Sequence, residues 1–197
     1  LSGPGASVAG ALLYLKVTNG IFVEVGGTST NICIIRNGKP EVRYVTIKNH
    51  PTCIRSMDVR VLGVAGGSMV KIESNHVSSV GPRSAHIAGL KYSCYAEPDD
   101  LRTGEVIFVK PKENDTDEYA AIKCKNGTYA ITNTCAANAL GMIEKDDYSF
   151  SNQESAKISM EVLGKKINMS WSMLATAIIQ TSSFEITKEI TKIIKEF

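Results

Sequence analysis

The stretch Ile21-Phe-Val-Glu-Val25-Gly26-Gly27-Thr28-Ser29-Thr30-Asn31-Ile-Cys-Ile-Ile35 decides how this chain is to be read. Two apolar runs of strand length flank a turn that carries two glycines and three hydroxyls. Glycine lets the backbone bend and bare its N–H groups, and Thr28, Ser29 and Thr30 add hydroxyl donors, so the turn has the chemistry that holds a phosphate. Each hydrogen bond to a charged acceptor contributes roughly 1.5–3 kcal/mol. An unliganded tight hairpin uses the same residues and stands as the alternative.

Working outward, Ser2 or Gly3 with Pro4 marks a helix entry, and Ala6, Ala9, Gly10 and Leu13 give the helix Ala6 to Leu15 a narrow packing face, ended by Thr18-Asn19-Gly20. Strands are expected at Ile21–Val25, Asn31–Arg36 and Glu41–Ile47 in meander order, with Asn37-Gly38 turning between the last two. Asp58 to Ala65, Gly66-Gly67-Ser68 and Met69 to Glu73 repeat the strand, glycine turn, strand pattern, so two glycine turns are expected to face one cleft; Ser74-Asn75 then reverses the chain before Val77–Val80. Residues 97–128 read as an inserted surface β-hairpin, with strands Glu105–Lys110 and Tyr119–Lys123 and an acidic, solvated tip at Asp115, Asp117 and Glu118. The last third is helical: Asn133–Leu140 closed by Gly141, a helix capped by Ser151 or Asn152 and ended at Gly164, and one capped by Ser170 that runs to Phe197.

Bulk composition narrows the function. At 197 residues and 43% hydrophobic the chain can bury a core, and a net charge of +2 without a basic aromatic stripe argues against nucleic acid. Ala6–Leu15 is too short and glycine-rich to cross a bilayer and lacks a signal peptide's basic start, so no membrane association is expected. Five cysteines, odd in number and without a Cys-x-x-Cys pair, point to reduced thiols and a cytoplasmic location, with Cys33 a small buried hydrophobe. His50, His76 and His86 have no metal-ligand spacing. A start at Leu1-Ser2-Gly3-Pro4-Gly5 and an abrupt helical end read as a piece of a longer protein.

Seven blocks in one order carry a resemblance: Ser2-Gly3-Pro4 with Gly10-Ala11; Val25 to Thr30; Asp58-Val59 with Gly63; Gly66-Gly67-Ser68; Val80-Gly81-Pro82-Arg83-Ser84-Ala85; Cys94-Tyr95; and Thr134 with Ala136 and Leu140-Gly141. In these the chain resembles the hydantoinase A and 5-oxoprolinase family, N-methylhydantoinases included, as a central domain fragment. The resemblance implies an α/β fold, a ribonuclease-H-like lobe of the actin, Hsp70 and sugar-kinase type. Its mixed sheet would open with a β-β-β meander flanked by helices, followed by an inserted β-hairpin and C-terminal helices. Residues 1–96 and 129–150 would form the nucleotide-binding lobe, 97–128 the insertion and 151–197 a truncated helical segment.

The resemblance further implies ATP and Mg²⁺ as cofactors and an ATP-dependent amidohydrolase that opens a hydantoin or lactam ring, 5-oxoproline-like, through carbonyl phosphorylation. Gly26, Gly27, Thr28, Ser29, Thr30, Gly66, Gly67 and Ser68 would hold phosphates; Asp58 would orient a metal-bound water or substrate, with Glu24 and Asp58 as metal candidates. Expected partners are a small cyclic amide, the remaining lobe of the full-length chain and a hydantoinase B-type subunit. Relatives usually carry aspartate where this chain has Glu24, Asn31 and Cys135, and Gly89-Leu90-Lys91-Tyr92 replaces a proline-rich stretch. Those departures support a non-catalytic assembly lobe as the second reading, and the scaffold also admits a phosphotransferase or carboxylase subunit.

Overall fold

The computed structural model describes residues 2–196, so Leu1 and the expected helix end at Phe197 lie outside the described residues. Helix α1 (Ser2–Leu15) tolerates Pro4 because it lies in the first turn. Val8 of α1 is buried against Cys33 and Val59, with Leu12, Phe22 and Met57 around them. Strands β1 (Gly20–Val25) and β2 (Thr30–Arg36) pair antiparallel, with Val25 opposite Thr30 across the glycine turn. Asn37 and Gly38 both take left-handed φ, 51° and 72°, which is the twist a two-residue hairpin turn requires.

The third meander strand differs from expectation. Only β3 (Lys39–Pro40) pairs with β2 before the chain departs into an antiparallel hairpin, β4 (Val42–Ile47) and β5 (His50–Met57), and it returns as β6 (Val59–Leu62) on the same side of β2. The Asp58 N–H donates to the Glu41 carbonyl at 2.8 Å and closes the base of that excursion. Alternating residues identify a strand but not its partner, and the Lys48-Asn49 turn reaches left-handed φ without glycine.

The second glycine turn is a crossover and not a hairpin, because β6 belongs to the β2 sheet while β7 (Ser68–Glu73) pairs with β8 (His76–Ser84). After β9 (Lys91–Tyr92), the 3-10 turn Ser93–Tyr95 and α2 (Pro98–Arg102), a sheet forms in the order β10 (Glu105–Val109), β11 (Tyr119–Cys124), β12 (Gly127–Ala130), β9. Here too the surface expectation is corrected: Tyr119, Ala120, Ala121 and Ile122 of β11 are essentially inaccessible. Their run of small and apolar residues has nowhere to go but the core. The charged tip is used as well, since Asp115 pairs with Arg83 and Asp117 accepts from Lys71 Nζ at 2.7 Å.

Three helices complete the main core: α3 (Asn133–Ala139), α4 (Gln153–Ile167) and α5 (Trp171–Lys195). Asn152 caps α4 through Oδ1, which accepts from the Glu154 and Ser155 N–H groups. The helix passes Gly164, where it was expected to stop, and ends at Asn168, whose left-handed φ of 56° supplies the terminating conformation. Ser170 Oγ caps α5 by accepting from the Met173 N–H. Ile122, Ile131, Met160, Leu163, Leu174 and Ile178 are fully buried together, each contributing about 1.5–3 kcal/mol by burial. Farther along α5, Ile193 packs on Ile32 and Ile34, so one helix ties the glycine-turn sheet to the rest. Among the described residues no helix is long and apolar enough to cross a membrane.

Candidate functional site

The glycine turns meet. Gly26 closes its turn by donating to the Ser29 carbonyl at 3.0 Å, and the crossover then laces onto it: Gly66 N–H donates to Gly26 O at 3.0 Å and Gly67 N–H to Gly27 O at 2.8 Å. Thr134 at the start of α3 donates to Gly66 O from both N–H (2.8 Å) and Oγ1 (2.9 Å). Asn133 Nδ2 donates to Ala65 O at 2.8 Å, while its Oδ1 accepts from Ser182 Oγ of α5 at 2.6 Å. Main-chain groups from three separate segments, joined to α5 through the Ser182 side chain, are thus held in one rigid wall.

That wall borders a cleft of about 540 Å³. It is lined by Gly26, Gly27, Gly66 and Gly67, by Asn133, Thr134 and Ser182, and by Tyr92, Tyr95 and Tyr148 with Ile143, Ile179 and Ile186. Among the described residues no lysine, arginine, aspartate or glutamate lines it. The first turn is open to solvent at Gly26, Gly27 and Thr28, and no protein acceptor among the described residues takes the N–H of Gly27 or Thr28.

The expected site residues therefore divide. The four glycines come together at the cleft, but the hydroxyls do not. Thr30 is fully buried and donates to Val64 O at 2.5 Å; Ser68, also fully buried, accepts from Ala65 N–H at 2.8 Å and donates to Gly63 O at 3.3 Å. Thr28 and Ser29 do not line the cleft either. Thr30 and Ser68 brace the turns instead of facing a ligand, because each finds a backbone carbonyl or N–H beside the crossover.

Asp58 is not brought to the cleft. The β2–β6 pairing sets Val59 opposite Cys33 and Leu62 opposite Thr30, so Asp58 lies at the end of β6 away from the turns. There Arg43 Nε and Arg60 Nε each approach its carboxylate at 2.9 Å, and Arg60 also bridges to Glu196 at 2.6 Å. Glu24 accepts from Asn31 Nδ2 and Ser7 Oγ, both at 2.8 Å, and these bonds hold its carboxyl below the usual value. Both metal candidates are committed to protein donors and no carboxylate among the described residues lines the cleft, so the described residues do not fit a Mg²⁺ site. Asn31 Oδ1, buried, has no donor among the described residues. Cys135 is fully buried, 3.3 Å from Ser93 Oγ and 3.2 Å from Thr132 Oγ1; its proximity and burial push the Cys94 thiol far up.

The sequence profile of the hydantoinase/oxoprolinase family matches residues 1–196. The chain belongs to that family. Two solved structures share the fold of this hydantoinase-family domain. One is the nucleotide-free acetone carboxylase, from work on ATP-dependent acetone carboxylation, with TM-score 0.68, 16% identity and 98% of this chain covered. The other is the ATP-dependent caprolactamase from Pseudomonas jessenii, with TM-score 0.61, 21% identity and 97% covered. The chain spans 24% of the length of each. No curated protein sequence matches it. At these identities the likeness shows a mixed α/β fold held in common and nothing finer.

Tyr92, Tyr95, Tyr148, Asn133 and Ser182 escaped the sequence reading as site residues. Cys94-Tyr95 and Thr134 stood in the ordered blocks, so a signal existed for the 3-10 turn and for α3, but nothing in the residues marked α5 or the loop before α4 as cleft walls.

Proposed function

We propose that this hydantoinase-family domain is one lobe, of the ribonuclease-H-like kind, of an ATP-dependent enzyme that opens a cyclic amide. The observation that carries this reading is the joining of two glycine turns at the edge of one cleft, with Gly27 and Thr28 exposed and their N–H groups without a protein acceptor among the described residues. The ATP-dependent caprolactamase and acetone carboxylase neighbours support it. ATP, when bound, supplies the phosphoryl group that turns an amide carbonyl oxygen into a leaving group. The chain's own part is to present unencumbered backbone N–H groups at an exposed turn and to hold that turn rigid through the crossover bonds, so that donors are fixed before charge develops. Mg²⁺ ligands would come from the remaining lobe of the full-length protein, and a hydantoinase B-type subunit is a further expected partner.

The test uses the full-length protein. A Cβ at Gly27 meets nothing within 4 Å, so Gly27→Val leaves the fold alone and obstructs only what approaches the turn. ATP hydrolysis stimulated by a cyclic amide should disappear in that variant; ordinary turnover would remove the turn from phosphate binding. The committed Glu24 and the carboxylate-free cleft favour one other reading, a non-catalytic assembly lobe. Calorimetry would then give no heat with Mg·ATP.

A further inference from the structure

We propose that the β4–β5 hairpin is a docking arm through which two copies of the full-length protein pair, each arm seating in an acid-rimmed groove lined by β7, β10 and the loop before β11 of the other copy.

The arm is the part of this fold that its own core does not claim. Strands β4 and β5 pair only with each other, and among the described residues no buried cluster takes in a side chain from Val42 to Ser56. A lone two-stranded hairpin is marginal in water unless something covers it. Its side chains are nevertheless apolar where they meet solvent: Val42, Tyr44, Ile47 and Ile54 are 45–61% exposed. The arm is also basic. Lys39, Arg43, Lys48 and Arg55 stand against Glu41 alone between residues 39 and 57, while the whole chain carries only +2. Arg43 is engaged by Asp58, but Lys48 and Arg55 are exposed and have no ion-pair partner among the described residues. A surface that fits this arm offers apolar contact framed by carboxylates.

The same chain carries such a surface. A groove of about 350 Å³ has Ile72 of β7 and the exposed Phe108 of β10 in its lining, with carboxylates from Glu73, Asp117 and Glu118. Lys71 is the one cation among the described residues that line it, and its Nζ is already bound to Glu73 at 3.0 Å and Asp117 at 2.7 Å. Glu118 is exposed and without an ion-pair partner among the described residues, so the groove keeps a net negative charge beside an open aromatic ring. Within one copy the arm and the groove belong to different sheets, and no hydrogen bond or ion pair among the described residues joins them. In a two-fold pair each copy gives an arm and receives one, so both features are satisfied twice by a single symmetric contact. Residues 42–57 with the groove lining come close to the roughly 20–30 residues a side of a stable interface.

The experiment is sedimentation velocity on the full-length protein, with Arg55→Glu and Glu118→Lys made separately. Both side chains are exposed, so both variants fold. The parent should be a dimer whose affinity falls at least about 10-fold between about 0.05 and 0.5 M NaCl, as screening weakens the charge contacts. Either variant alone sets like charges against each other in both contacts and should dimerise at least about 10-fold more weakly. Mixed in equal amounts the two variants should pair again, since the altered arm of one meets the altered groove of the other and the second contact is the parental one. A dimer indifferent to both substitutions, or variants that stay apart on mixing, would overturn the proposal. So would a monomeric parent; if the exposed thiol of Cys53 on β5 reacted slowly with N-ethylmaleimide in that monomer, the rest of the full-length chain would be what covers the arm.

Discussion

Gly67→Ala is the sharpest probe of the joined glycine turns. An added Cβ would stand 2.2 Å from Tyr92 Oη, 2.6 Å from Gly27 O and 3.0 Å from Tyr92 Cζ, and none of those three atoms can move without shifting a ring or a main chain. Relieving the overlap separates the turns and lengthens the 2.8 Å bond from Gly67 N–H to Gly27 O and the 2.9 Å bond that Gly67 O accepts from Ala85. Overpacking of this kind costs about 1–3 kcal/mol and each of the two weakened hydrogen bonds about 1 kcal/mol, so a loss of about 3–5 kcal/mol is expected. For a domain of this size that lowers Tm by roughly 6–20 °C. Gly27→Ala is the matched control: its Cβ meets nothing within 4 Å, and its stability should stay within about 0.5 kcal/mol of the parent. Urea denaturation of both variants followed by circular dichroism reads the difference. Equal midpoints for the two would show that the crossover does not press on the first turn, and the account of the cleft wall would fail with it.

Glu24 and Asp58 supply the remaining tests. Because hydrogen bonds from Asn31 and Ser7 lower the Glu24 pKa from its ordinary 4.5, its contribution to stability is complete above that value and is lost as pH falls through the lower folded value. The stability gap between parent and Glu24→Gln should therefore be constant above about pH 5 and close under acid, measured by urea midpoints across pH; a gap that acid leaves unchanged down to the end of the folded range would contradict the assignment. Asp58→Ala removes the carboxylate that Arg43 and Arg60 share, leaving Arg60 only Glu196, and should cost about 2 kcal/mol, discounted for the exposure of Arg43, while Mg·ATP affinity of the full-length protein stays as it was. Loss of nucleotide binding at unchanged stability would return Asp58 to a functional role.

Local chemistry wrote much of this protein legibly. The β1–β2 hairpin and its glycine turn, the Asn37-Gly38 and Ser74-Asn75 reversals, the caps at Asn152 and Ser170 and the family blocks all depend on residues within a few positions of one another, where turn and capping preferences act without help from the rest of the chain. Partnership was decided elsewhere. Whether Val42–Ile47 pairs with β2 or β5, whether Tyr119–Cys124 lies outside or in the core, and whether Thr30 and Ser68 face a ligand or a backbone carbonyl are questions of which distant group arrives alongside. Periodicity and spacing are silent there, because burial and hydrogen-bond satisfaction are set only once the crossover from β6 to β7 brings Gly66 and Gly67 against Gly26 and Gly27, and α5 brings Ile179, Ser182 and Ile186 across the opening.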